Sequence, residues 1–571
     1  MRPTMKARFP RVYLLSTLLI CLAKSQNLVD ASADTAMALR LYLQGSNLQK
    51  AARYDSAIVL LDKASLIFAN ANRLADRVRC LNTKADILRE KGNFDKALDA
   101  LRIGSEAEGV LVKEDPLTAA QRLVMVGSVY RRQGKFDSAL VAAGSASSIA
   151  QSMSAANSGL TWDVYTLLAG THFDLGEHDT ALDYNQRALQ LLDETQREDQ
   201  EKVSSTYNSI AGIYETRGDY LKALEYFTKS LEVRRKVQGE KHPDIAALYN
   251  NIAAIQMRIG DYDLSVEYYL KSISIMNETL ESDNPAFGIR FNNIAMAYRS
   301  MGEFDKALEA GNKSKAIFVK KLGPTHPNVG GVVNNIGRTY SDMKQYDRAL
   351  EAYQEALAIW EPKLGAKHPY VTQCNFNIGE AYGNLGDFEK ALTWLQRSLT
   401  IRLETLGQKN AKVAQSCNAL ATVYAAMHQP DTAIQFRQKA LVALLENFND
   451  PNVRANPDTL KSSSDLDVLA ALAGKAKDLH QRYRDAHQLD DLKVSLDTYE
   501  RAARLVETIR RGFGTEGSKL QLGTTAFDVY EQAVGVALEL LQATNNAAYV
   551  SSAFEFAERS KAGVLLDAIS E

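Results

Sequence analysis

The sequence is poor in proline, in cysteine and in any excess of one charge. Only 12 of its 571 residues are proline and 33 are glycine, which excludes a proline-rich linker protein and a collagen-like repeat. The 67 lysines and arginines nearly balance the 69 aspartates and glutamates, so the basic surface that nucleic-acid binding requires is missing. Hydrophobic residues make up 46% of the chain, enough for a large core, and exclude wholesale disorder.

The four cysteines, Cys21, Cys80, Cys374 and Cys417, are far apart and include no CxxC pair. Such spacing is neither a disulfide framework nor a set of metal ligands. We expect the last three to be buried as small hydrophobic residues, and a nucleophilic role for Cys374 or Cys417 lacks a partner base.

Acidic residues are absent from the first 25 positions, which carry basic residues followed by an apolar run at 12–23. The run is shorter than the roughly 20 residues that span a bilayer, but it is typical of a signal peptide. We expect residues 1–25 to be removed before Gln26, which makes the protein exported, either periplasmic or secreted. An uncleaved membrane anchor and a lipoprotein signal at Cys21 are the alternatives.

A phrase of the form Gly-x-aromatic-Asp-x-Ala-Leu recurs along the chain in steps of 42 residues. A displaced earlier copy begins at Tyr54. The first positions of the nine regular copies are Gly92, Gly134, Gly176, Gly218, Gly260, Gly302, Lys344, Gly386 and His428. A fixed period of this length is the signature of a repeat architecture.

Each unit is consistent with two helices, A and B. The glycine ends helix A, and the aspartate after the aromatic residue suits the N-terminus of helix B, where its carboxylate can accept free amide bonds. Lys344 and His428 put the turn geometry of their own units in doubt. A proline opens the next helix A in four units, at Pro243, Pro285, Pro327 and Pro369. One hairpin cannot bury its own apolar face, so the units must stack into an all-α solenoid.

The repeat resembles the tetratricopeptide repeat, in the 42-residue variant of kinesin light chains. The similarity is carried best by Leu322-Gly323, His326-Pro327 and Asn334-Asn335-Ile336. It implies a right-handed superhelical α-solenoid of about ten repeats over residues 35–447. It also implies that helix A forms most of a concave groove that holds a partner protein or an extended peptide.

Residues 448–464 are polar and predict a linker, and helices are expected to resume near Asp465. Residues 556–567 of this helical extension (465–571) resemble the helix that leads into the caspase-like protease domain of the CHAT family. That resemblance implies an alternative function, in which the chain is the regulatory repeat portion of a protease whose catalytic domain it does not contain.

The sequence offers no pattern for catalysis, for a cofactor or for a metal. His242, His326 and His368 share one repeat position, so they line successive loops instead of converging on one ion, and we expect them to be structural. The glycine pattern at 512–517 fits a dinucleotide-binding spelling but follows a helix, and indicates a turn. We therefore expect a non-catalytic protein.

Two asparagine columns mark helix A. We expect the first column to face the groove, where its amides can clamp an extended peptide backbone, and the second to bridge neighbouring helices. The alternative, that every one of these asparagines ties helices together, stays open. The first column is Asn251, Asn293, Asn335 and Asn377; the second is Asn208, Asn250, Asn292, Asn334 and Asn418.

Met296, Arg299, Arg338 and Arg258 fall on the same stripe as the first column, one or two turns further along. Three arginines there favour an acidic partner. The sequence thus predicts a scaffold that binds a protein or peptide, with no nucleic acid, no cofactor and no membrane contact beyond the export signal.

Overall fold

A computed structural model describes residues 33–569 except 50–52, 107, 154–156, 194–195, 280, 461, 463 and 513–515. The expected signal peptide lies outside these residues. All regular structure in the described part is helical, in 25 helices, which confirms the all-α prediction. None of the described helices is both long and apolar enough to cross a membrane.

The chain divides into two compact units, residues 1–239 and 240–571. The first unit begins, in its described part, with helix α1 (33–49). The helices that follow it are α2 (Tyr54–Asn70), α3 (Leu74–Glu90), α4 (Phe94–Glu106), α5 (Glu108–Glu114), α6 (Pro116–Arg132), α7 (Phe136–Ser152), α8 (Ser158–Asp174), α9 (His178–Gln190), α10 (Arg197–Thr216) and α11 (Tyr220–Gln238).

The second unit contains five hairpins of the regular repeat and two further helix pairs. Its helices are α12 (Pro243–Ile259), α13 (Tyr262–Thr279), α14 (Pro285–Ser300), α15 (Phe304–Leu322), α16 (Pro327–Asp342), α17 (Tyr346–Leu364), α18 (Pro369–Leu385), α19 (Phe388–Leu406), α20 (Ala411–Ala426), α21 (Pro430–Leu444), α22 (Asp465–Ala486), α23 (Leu489–Gly512), α24 (Glu516–Thr544) and α25 (Ala548–Ile569).

Within the second unit each helix packs on its neighbours in sequence, and each helix A also touches the next helix A. Contacts therefore pass from α12 to α14, α16, α18 and α20 in turn, as expected for stacked repeats. One apolar core joins the last regular hairpin to the tail, because Leu441, Leu469, Leu492, Val529 and Phe556 belong to the same cluster. Helices resume at Asp465, as the sequence predicts.

The turn between helices A and B is left-handed in every regular copy. Gly260 and Gly386 have φ angles of 98° and 82°, which glycine adopts without strain. Lys344 and His428 take the same conformation, with φ angles of 59° and 58°. Both departures from glycine thus keep the turn, at a cost in backbone strain.

Helix B begins two residues earlier than it would if this aspartate were the N-cap. In α15, for example, Phe304 is the first helical residue and Asp305 lies in the first turn, where its charge favours the helix dipole. The capping position falls instead on the residue before the aromatic. Where that residue is aspartate, its carboxylate accepts an amide bond, as Asp261 does from Leu264 at 3.1 Å, whereas Glu303 makes no such bond.

The histidine before each His-Pro pair is an N-cap. The Nδ1 atoms of His242, His326 and His368 each accept the backbone N–H two residues on, at 3.2 Å. The prolines that follow occupy the first helical position, as predicted. These three histidines therefore have a structural role, since each satisfies a free amide of helix A.

The cysteines in the described residues are buried, as expected. Burial raises the pKa of the Cys80 and Cys374 thiols to about 12 and that of Cys417 to about 11. Each thiol therefore stays protonated at neutral pH and packs as a small apolar group.

Candidate functional site

A cavity of about 720 Å³ lies in the second unit, along the helices A of successive repeats. Its walls come from α14, α16, α18 and α20, and α22 closes one side with Asp467 and Ala470. The cavity is mostly polar: carboxamides and charged side chains outnumber the apolar groups that line it. A concave surface of this kind suits a partner that supplies its own polar groups.

The floor of the cavity consists of residues at equivalent positions of successive 42-residue repeats. One column of equivalent positions holds Asn334, Phe376 and Asn418, and a second holds Arg338, Glu380 and Thr422. The two columns are four residues apart on each helix, so they lie on one face. Successive repeats therefore present two different side chains each to the same space.

Three of the predicted site residues line this cavity: Arg299, Arg338 and Asn377. Asn335 and Met296 line a narrower crevice beside it, together with Arg299. The remaining predicted residues, Asn251, Asn293 and Arg258, line neither space.

The two asparagine columns bond to each other across one repeat. The Nδ2 atom of Asn335 donates to Oδ1 of Asn292 at 3.0 Å, and Nδ2 of Asn377 donates to Oδ1 of Asn334 at 3.1 Å. The first column thus ties helices together at these positions, while Asn334 and Asn418 of the second column line the cavity. Each column therefore contributes both to the bonds between helices and to the cavity lining, in contrast to the expected division of roles.

A buried arginine, Arg402, supports the residues that form the cavity floor. Arg402 is 3% exposed and donates to Gln373 Oε1 and Ser416 Oγ, both at 2.9 Å. Its guanidinium also lies 4.7 Å from the centre of the Phe376 ring. Burial lowers the pKa of Arg402 to about 10, so it remains a cation at neutral pH. Gln373, held in this way, donates from Nε2 to Asn377 Oδ1 at 2.9 Å.

Several of the cavity's charges are already paired. Arg299 lies 3.3 Å from Asp342, and burial lowers its pKa, with the nearby charge of Arg338 acting in the same direction. Arg437 lies 3.4 Å from Asp478 and donates to Thr422 Oγ1 at 3.0 Å. These groups hold helices in place and have little capacity left for a ligand.

Glu380 is different, because it is accessible from the cavity yet enclosed by protein on the other sides. The surrounding protein partly removes the hydration of its carboxylate and raises its pKa to about 7, although the charges of Arg402 and Arg338 act in the opposite direction. At neutral pH this group is therefore poised between its two protonation states.

Glu380, Phe376 and Gln373 line the cavity but were not predicted from the sequence. The 42-residue period could have indicated Glu380, since it lies 42 residues after Arg338, a predicted site residue. Asp467 and Ala470 had no such signal, because the tail interrupts the 42-residue period. In the described part of the chain, no group of three or more His, Cys, Asp and Glu side chains could hold a metal ion.

The family described as tetratricopeptide repeat matches residues 202–278, 244–318, 289–361, 330–404 and 372–446. No curated protein sequence matches the chain significantly.

Solved structures of repeat proteins are similar to parts of the chain. A putative kinesin light chain from Podosopora anserina is 24% identical, with a TM-score of 0.32, over 36% of this chain and 97% of that one. BtubC (BKLC) from P. vanneervenii is 22% identical, with a TM-score of 0.33, over 43% and 91%. The apo form of RapI is 13% identical, with a TM-score of 0.42, over 76% and 99%. At these values the similarity says nothing of function. The repeats of residues 202–446 are tetratricopeptide repeats.

Proposed function

We propose that this protein is a non-catalytic scaffold that binds a segment of a partner protein in the cavity lined by α14, α16, α18, α20 and α22. The observation that carries the proposal is the cavity itself, about 720 Å³ of mostly polar space built from equivalent positions of successive repeats. An extended peptide has a regular spacing of backbone donors and acceptors, which a regular series of side chains can meet.

The side chains in and around the cavity favour binding over catalysis. The Cys374 and Cys417 thiols are buried and protonated, so neither supplies a nucleophilic thiolate. Asn418 and Gln415 present carboxamides to the cavity, and Arg338 and Lys412 present cations. The partner segment is therefore expected to be extended and to carry acidic side chains.

A peptide-display screen on the full chain, followed by affinity measurements, tests this proposal. Arg338→Gln is expected to weaken binding of the selected peptides by about tenfold or more, since a charged hydrogen bond contributes about 1.5–3 kcal/mol. Arg348→Gln, an exposed arginine on α17 that does not line the cavity, is the matched control. Failure to select any peptide, or equal loss in both variants, would contradict the proposal.

Replacing Asn251, Asn293 and Asn335 together by alanine separates the cavity from the originally expected asparagine site. None of the three lines the cavity, and Asn335 donates a bond between repeats. We expect the triple variant to lose stability while it keeps its affinity for peptides. A large loss of affinity in a folded triple variant would move the site towards α12 and α14.

We further propose that the protein acts outside the cytoplasm after removal of residues 1–25. The basic residues followed by the apolar run at 12–23 support this. Mass spectrometry of the protein purified from its own cells should find an N-terminus at Gln26. An intact Met1 in membrane fractions would favour the uncleaved anchor instead.

The alternative function, a regulatory portion of a CHAT-type caspase-like protease, is supported by the resemblance of residues 556–567. Sequencing the gene and its neighbourhood tests it. A caspase-like reading frame joined to or adjacent to this one would favour the alternative, and its absence would count against it.

A further inference from the structure

Two side chains of opposite charge line the cavity on successive repeats, near enough for the charge of one to act on the other but without an ion pair between them. Arg338 on α16 and Glu380 on α18 occupy the same repeat position, 42 residues apart. Within the described residues, neither side chain has a hydrogen bond or an ion pair, although both line one space. The polar groups around them are largely engaged in the bonds described above.

The repeat does not need a charge at this position to fold. The equivalent residues in the flanking repeats are Met296 and Thr422, both uncharged. A carboxylate with a purely structural role would be expected to pair with a neighbouring cation. The charge of the buried Arg402 acts on Glu380, but its guanidinium donates its hydrogen bonds to Gln373, Ser416 and the Lys412 carbonyl instead.

The geometry points to a partner segment that carries a basic side chain among its acidic ones, with Glu380 as the residue that selects the basic group. This inference rests on the proposed function and specifies the partner's chemistry. The acidic side chains would face Arg338 and Lys412, and a lysine or arginine of the partner would fill the space in front of Glu380.

The surroundings of Glu380 set the sign of the pH dependence. Partial loss of hydration raises its pKa to about 7, so a bound cation would favour the ionised form and release a proton. Affinity for a basic group should therefore increase as the pH rises through 7. The other titratable and charged side chains that surround it or line the cavity are Arg299, Arg338, Asp342, Tyr353, Arg402, Lys412, Arg437 and Asp467.

The test uses the full chain and two sets of arrayed nonapeptides. Each peptide of the first set carries two aspartates and one lysine in a serine–alanine background, and the set covers every arrangement of these three residues. The second set is identical except that norleucine replaces lysine. We expect the best lysine peptide to bind at least tenfold more tightly than its norleucine match. Below pH 7 this preference should grow by up to about tenfold per pH unit and then level off.

Glu380→Gln should abolish both the lysine preference and its pH dependence, while Glu389→Gln, an exposed residue of α19 outside the cavity, should keep both. Glu380→Thr, which copies the natural Thr422, gives the same answer if the glutamine variant misfolds. Equal binding of both peptide sets that is insensitive to Glu380→Gln would overturn this inference and leave the proposed function standing. Binding of neither set, together with a failed display screen, would overturn both.

Discussion

The regular repeats of the second unit and the helix pair that follows them are held together by different chemistry. Residues 243–444 form five hairpins whose contacts are small, mostly uncharged and repeated. Helices α22 and α23 bury Lys475, Asp478 and Asp491, a denser set of charges than the buried Arg402 and Arg437 of the last two regular hairpins. The difference shows that a series of repeats can be extended by a further hairpin whose internal hydrogen bonds are not those of the repeat.

A serine on helix B links the two helices of several repeats. The Oγ atoms of Ser272, Ser314 and Ser398 each donate to a helix A carbonyl 26 residues earlier, at 2.6, 2.6 and 3.1 Å. All three serines are fully buried. Such a bond adds about 1 kcal/mol, and its recurrence makes the hairpins alike.

In the α22–α23 pair, two buried charges hold a non-repeating strap (residues 445–460). Lys475 is 0% exposed and donates to Gln438 Oε1, Ala455 O and Asn456 Oδ1 at 2.7, 2.6 and 2.9 Å. Asp491 is also 0% exposed and accepts from Arg482 and Arg454. The polar segment expected to be a linker is thus packed against helices at these points.

The largest expected effect comes from breaking the Asp491 cluster. Asp491→Ala removes the buried carboxylate that Arg482 and Arg454 share and leaves the partly buried Arg482 with only the exposed Asp431, so we expect the free energy of unfolding to fall by about 3 kcal/mol. Asp490→Ala, next to it and exposed, should change stability by less than about 0.5 kcal/mol. Denaturant titrations of the two variants make the comparison, and equal stabilities would show that the cluster contributes nothing.

The second prediction concerns pH. Burial lowers the pKa of Lys475 from 10.5 to about 7, so the unfolded chain binds one more proton than the folded chain between those values. The folded state should therefore gain stability through Lys475 as pH rises from about 7 to 10.5, by at most about 1.4 kcal/mol per unit. Other groups titrate in this range, so the measurement is the difference between wild type and Lys475→Met. A pH-independent difference would mean that the three acceptors keep the ammonium charged.

The sequence was sufficient to predict the helices and turns of the regular repeats, but not the buried contacts of the tail. Periodicity located the turns at Gly260 and Gly386 and the first residue of the four helices A that begin with proline, because these features are dictated by local backbone chemistry. It could not reveal that Lys475 and Asp491 are buried, since a charged residue on an amphipathic helix is ordinarily solvated. Glu380 was recognisable only by its register, as its surroundings depend on four other helices.

The third prediction tests close packing within a regular hairpin, using two adjacent glycines of α16. A Cβ atom at Gly330 would lie 2.7 Å from Nε1 of Trp360, whereas one at Gly331 would have its nearest neighbour at 3.9 Å. Gly330→Ala should cost about 1–3 kcal/mol, since it forces Trp360 to move. Gly331→Ala should add up to about 1 kcal/mol through helix propensity. Similar thermal midpoints for both variants would contradict the packing described.

The smallest expected effect is the loss of one serine bond. Ser314→Ala leaves the Gly288 carbonyl without this donor and should cost about 1 kcal/mol. The next repeat has Ala356 at the equivalent position, so the hairpin tolerates the absence. Denaturant titration measures the loss, and a cost above about 3 kcal/mol would show that the regular repeats are not held by many small contacts.

The most direct measurement of the central claim, that the partner segment lies in the cavity shared by the regular repeats and α22, is site-specific photocrosslinking. A photoreactive amino acid is placed at Thr422, which is exposed and lines the cavity, or at Thr393, which is exposed on α19 outside it. With a peptide selected by display, we expect a crosslinked product from position 422 and none from position 393. Crosslinking at 393 but not at 422, with both proteins folded and binding the peptide, would contradict it.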